Sequence, residues 1–92
     1  MSERSLRGVL AELHETLEGA RDLDPSSRAA LREAAEEIRD ALDRAEARDE
    51  RAELSEGVSS RLSEALGRFE ESHPSLTEVL RRLVDQLSDL GI

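Results

Sequence analysis

The chain has no cysteine, tryptophan, tyrosine or lysine, and its one phenylalanine is Phe69. Without thiols there is no disulfide framework and no thiolate metal site. With a single aromatic ring there is no platform on which the bases of a nucleic acid could stack. No apolar run approaches the 18 or so residues that span a bilayer, and the residues after Met1, SERSLRGV, contain no apolar signal core. These absences point to a soluble, cytoplasmic protein with no membrane or nucleic-acid partner.

Charge narrows the reading further. Thirteen arginines face twenty-two acids, for a formal charge of -9. The excess is spread evenly, with twelve acids and eight arginines in residues 1–48 and ten acids and five arginines in 49–92. No basic patch exists to hold a polyanion or an anionic membrane. Arginine to the exclusion of lysine is what GC-rich coding produces. Adaptation to high salt, where an acidic lysine-free surface stays hydrated, is a second and compatible reading.

Ninety-two residues make one domain, 1–92, which buries roughly 60 to 65% of its unfolded surface. Leu, Ile, Val and Phe supply 22 of them, just above the level at which charged chains stay disordered. Their spacing decides the fold class. Leu76, Leu80, Leu83, Leu87 and Leu90 fall four, three, four and three apart, a single face of a helix, and Val79 and Val84 widen it. Leu6, Leu10, Leu13 and Leu17 repeat the spacing near the start of the chain, with Ala20 and Val9 beside them. The weaker stripes are Leu31, Ala35, Ile38 and Leu42, then Val58, Leu62, Ala65, Leu66 and Phe69.

Four helices are therefore predicted, over about 3–21, 25–47, 55–71 and 74–90. They form an all-α, antiparallel four-helix bundle of two helical hairpins joined by a charged linker, 48–54. Ser2 is a plausible N-cap for the first helix. Asp24 has a capping side chain, and Pro25 suits the first helical position. The chain must break again before Pro74, after which either Pro74 opens the fourth helix or Ser75 and Glu78 form a capping box. Gly91 suits a left-handed position after the last helix, with Ile92 folding back onto Leu87. The linker carries no proline, so a continuous helix is its rival. Ile38 and Leu54, sixteen residues apart, would lie nearly half a turn out of phase in such a helix.

Outer-face charges form acid-before-base pairs four apart: Glu3 with Arg7, Asp40 with Arg44, Glu64 with Arg68 and Glu78 with Arg82. Gly8 and Gly19 lie opposite the core stripe and read as surface residues.

At this point the residues match a known pattern. LHETL at Leu13–Leu17, LDP at Leu23–Pro25, FEESHPSL at Phe69–Leu76 and the closing LGI at Leu90–Ile92 resemble a family of short bacterial proteins known as a domain of unknown function, number 4404. The resemblance covers nearly the whole chain, the segment from about Ala47 to Gly57 carrying none of it. It implies an all-helical bacterial protein with no established activity, cofactor or substrate.

Chemistry finds little foothold in the residues themselves. His14 sits at the edge of the first stripe and reads as an imidazole at the core boundary, bonded to a carboxylate or carbonyl. His73, before Pro74, closes the turn between the third and fourth helices by capping or by packing on Phe69. No HExxH pattern, Gly-rich phosphate loop or nucleophile motif is present, and no acid falls within an apolar stripe. No catalytic residue, metal site or cofactor is expected. The leading reading is a noncatalytic interaction protein that forms a homodimer, or takes a partner helix, through Leu76, Val79, Leu80, Leu83, Val84 and Leu87. The alternative is a small metal- or ligand-binding regulator using His14, His73 and nearby carboxylates. A third reading, an acidic mimic of nucleic acid, is weakened by the evenly mixed arginine.

Overall fold

The computed structural model describes residues 3–50, 53–54 and 56–90. Four helices account for most of them: α1 (Glu3–Gly19), α2 (Pro25–Arg48), α3 (Glu56–Phe69) and α4 (Pro74–Leu90). Among the described residues there is no strand, and the fold is all-α. Ser2, Gly91 and Ile92, the expected caps at either end, lie outside the described residues. The side chains of Glu3 and Leu90, from the Glu3–Arg7 pair and the last position of the α4 stripe, lie outside them too.

The helices end where local chemistry stops them. α2 opens as its sequence requires, with Asp24 extended at the N-cap and Pro25 at the first helical position. α4 begins at Pro74, so of the two possible starts the chain takes the proline. α1 stops at Gly19 and α3 at Phe69, each two residues before its expected end. At the end of α1 the next helix takes part. The Arg28 guanidinium, from the first turns of α2, donates to the carbonyls of Leu17 and Ala20. The Leu17 and Ala20 carbonyls already accept the N–H groups of Ala20 and Leu23, and the cation uses their remaining acceptor capacity and complements the helix dipole. α1 has no basic residue of its own in its last turn, so α2 provides one.

The core is built largely from the predicted stripes, except that Ala34 takes the buried place expected of Ala35, and Ala20, Ala35 and Leu66 are only partly buried at its edge. Leu6, Leu10, Leu13 and Leu17 of α1, Leu31, Ala34, Ile38 and Leu42 of α2, Val58, Leu62, Ala65 and Phe69 of α3, and Leu76, Leu80, Leu83 and Leu87 of α4 are buried together. Leu23, in the turn after α1, joins them. Backbone neighbours run around a ring among the described residues: α1 and α3 each pack on both α2 and α4, and the side chains of all four meet in one core. The body measures 40 × 21 × 19 Å with a radius of gyration of 12.7 Å.

Charge pairs run mostly between helices rather than along them. Arg7 of α1 reaches Asp43 at 3.0 Å and Glu46 at 3.1 Å near the end of α2. Glu18 pairs with Arg32 at 3.3 Å, Glu12 with Arg82 at 2.7 Å, and Arg61 with Glu37. Of the expected pairs four apart, Glu64 with Arg68 forms at 3.9 Å. Arg82 turns from Glu78 to Glu12 on the neighbouring helix. A neighbouring helix brings a carboxylate as near as the next turn does, and such exposed pairs contribute at most about 1 kcal/mol each.

Gly8 and Gly67 face open space, where an added Cβ would meet nothing within 4 Å. Each is helical, so Gly8→Ala and Gly67→Ala are expected to stabilise the chain by about 0.5–1 kcal/mol apiece, through helix propensity alone. Thermal unfolding followed by circular dichroism checks this; a loss of stability would mean that these faces are covered.

Candidate functional site

The α4 face singled out for binding is occupied by the chain itself. Leu76, Val79, Leu80, Leu83 and Leu87 are buried, Leu80 and Leu83 completely. Val84, at the margin, is half-buried against the same core. The cover comes from α1 on one side and α3 on the other. A second chain reaching this face must therefore replace α1 or α3, because no vacant groove is left for it. The apolar width that marks α4 follows from its having two neighbours to satisfy.

Both interhelical turns with capping signals form as expected, and they meet. At the first, one oxygen of Asp24 accepts from the Ser26 hydroxyl at 2.6 Å and from the Ser27 N–H at 3.0 Å. Hydrogen bonds from Ser26, then from Ser27, hold the Asp24 carboxyl down from 3.8 to about 2. At the second, the His73 N–H donates to the Phe69 carbonyl and its own carbonyl accepts from Thr77 N–H, both at 2.9 Å. The imidazole stands edge-on to the Phe69 ring, 5.5 Å between centroids. His73 therefore closes the turn both by backbone capping and by ring packing.

The imidazole also touches the other turn. Its Nε2 lies 3.4 Å from Asp22 Oδ1, an ion pair when the ring is protonated, although the buried nitrogen forms no hydrogen bond there. Its Nδ1 is 3.0 Å from the Ser72 hydroxyl. Sequence spacing could not have revealed the Asp22 contact, which joins two turns about fifty positions apart. The same holds for Arg28, whose role depends on where α1 ends.

The two histidines do not share a site. His14 is exposed on α1, 3.9 Å from Glu18, and lines a groove between α1 and α2 with Arg32 and Arg39. His73 lines a separate groove between the end of α1 and the start of α4. Among the described residues no three His, Asp or Glu side chains converge as metal ligands. A third groove of about 170 Å³ lies between α2 and α3, over Leu31, Ala34, Ala65 and Phe69. Small alanines on α2 leave it shallow. Among the described residues no helix is long and apolar enough to cross a membrane.

The model of the family described as a domain of unknown function, DUF4404, matches residues 6–92. The chain belongs to that family. The DUF4404 match runs through all four helices and across the link at 49–55, which the motif resemblance had not reached. No curated protein and no solved structure matches the chain. Membership thus assigns no process, and what the molecule does has to be argued from its own faces.

Two outcomes test this description. Replacing Leu83, fully buried, by Ala is expected to cost about 2–5 kcal/mol, a large share of a domain this size, measured by urea denaturation. A nearly unchanged midpoint would show that α4 is not a core helix. Because folding depresses the Asp24 carboxyl, the cap's contribution is complete above about pH 4 and is lost as pH falls toward 2. Asp24→Ala should lower stability at pH 7 and narrow its difference from the parent across that acid range; a pH-independent difference would contradict the cap.

Proposed function

We propose that this chain is a noncatalytic helical interaction module, an antiparallel bundle of two hairpins, α1–α2 and α3–α4, that associates with a second copy of itself. Four ion pairs support the antiparallel arrangement. Arg7, early in α1, pairs with Asp43 and Glu46, late in α2. Glu18, late in α1, pairs with Arg32, early in α2. His73, just before α4, meets Asp22, just after α1.

The observation that carries the functional reading is how the hairpins are covered. α1 packs on α4 and α2 packs on α3, so the apolar face of each hairpin is sheltered by the other hairpin. Such a face is a template for one kind of surface, a hairpin of this same sequence, and the charged link between the hairpins does not dictate which copy provides it. The ionic groups support a binding role over chemistry. Arg7, Arg32, Arg61 and Arg82 are engaged with carboxylates of neighbouring helices, and the strongly shifted carboxyl of Asp24 serves a helix cap.

Sedimentation equilibrium tests the proposal. The apparent mass should rise from that of one chain, 10.2 kDa, toward twice that value between low and high micromolar concentration. Dimerisation should strengthen with added salt, because each copy carries a charge of -9. A mass of one chain throughout removes self-association.

A further inference from the structure

We infer that His73 Nε2 and Asp22 Oδ1 together bind one divalent transition-metal ion of the zinc type, with water in its remaining positions. The ion clasps the turn after α1 to the turn before α4. Both ligands belong to one chain, so the site is the same in a monomer and in a dimer.

The imidazole is presented as a metal-binding histidine is. Its Nδ1 lies 3.0 Å from the Ser72 hydroxyl. With the ring proton on Nδ1 and donated to that oxygen, Nε2 keeps its lone pair and turns it toward Asp22. Nε2 is buried and has no hydrogen-bond partner. The carboxylate oxygen facing it stands 3.4 Å away, too far for a good hydrogen bond. Two electron-pair donors therefore oppose each other across a gap, an arrangement that a cation between them resolves. With bonds of about 2.1 Å to nitrogen and to oxygen, as zinc makes, a span of 3.4 Å subtends about 110° at the ion, close to the tetrahedral angle.

Both ligands are held by the fold. The His73 ring stands against Phe69, and the backbone of His73 is bonded on both sides, to the Phe69 carbonyl and to the Thr77 N–H. On the other side of the gap, buried Leu23 anchors the turn, its N–H donating to the Ala20 carbonyl at 3.2 Å. The Asp22 side chain is itself mostly exposed, so it can settle on an ion without disturbing the core. The two ligands line a groove of about 420 Å³ whose walls include Thr16, Ser72 and Ser75, room and polarity enough for coordinated water. One imidazole nitrogen beside one carboxylate oxygen suits Zn²⁺, Ni²⁺ or Cu²⁺, whereas Mg²⁺ prefers a shell of oxygens. An ion that binds the folded chain in this way stabilises it by mass action.

Calorimetric titration of the full chain with Zn²⁺ at neutral pH tests the clasp. The exposed His14, near Glu18, could hold zinc weakly by itself, so the parent for the test carries His14→Gln. One ion bound per chain is expected, with a thermal midpoint that rises as Zn²⁺ is added; Mg²⁺ should produce neither. His73→Gln should abolish binding. Asp22→Asn, at an exposed position where folding is not at stake, should weaken it about tenfold or more, and Ser72→Ala about tenfold through the lost support of Nδ1. No zinc heat overturns the inference; so does heat that survives either Asp22→Asn or His73→Gln unchanged, which would place the ion on other surface carboxylates or on one residue alone. A contact held only by a proton on Nε2 would likewise give no zinc-dependent rise in the midpoint.

Discussion

The structure depends on one requirement: the leucine face of α4 has to be covered from two sides. Leu80 and Leu83 are completely buried only because α1 and α3 both reach them. That requirement brings the beginning of the chain to its end, and it leaves α2 to close the ring between α1 and α3. Burial of large aliphatic side chains, at roughly 1.5–3 kcal/mol each, dominates the favourable side of such a small body. The exposed ion pairs adjust the fit between helices whose partners the leucines have already chosen.

Most of the architecture was legible because helix periodicity and punctuation agree. Leu6 to Leu17 and Leu76 to Leu87 keep one face throughout, and Asp24–Pro25 and His73–Pro74 mark the turns with residues whose backbone preferences leave few alternatives. The ends of α1 and α3 were less legible. Arg21 and Glu71 can continue a helix; at the end of α1 the Arg28 guanidinium of the next helix takes up the carbonyls of Leu17 and Ala20, and at the end of α3 the His73 N–H bonds back to the Phe69 carbonyl as the chain turns into Pro74. A rule based on neighbours in sequence sees the break before Pro74 but not the arrival of Arg28.

The candidate site was legible in composition and not in use. Leu76, Val79, Leu80, Leu83 and Leu87 were correctly read as a surface that must be covered, but periodicity does not say whose helix covers it. Between the two hairpins, at 49–55, the sequence offers charge without glycine or proline. The half-turn mismatch between Ile38 and Leu54 argues for a change of direction, and the left-handed Asp49 is where α2 makes it. His14 and His73, grouped as a conceivable ligand pair by residue type alone, are assigned by packing to different grooves.

The Arg28 contact bears on how the polypeptide acquires its shape. The guanidinium joins positions only eleven and eight residues apart, so the chain closes a small loop to make it and forfeits little freedom. The end of α1 and the start of α2 thereby hold each other through bonds that need no distant segment of the chain. Contacts of such short separation are the least costly to close, which favours the α1–α2 turn as a part of the fold that forms early.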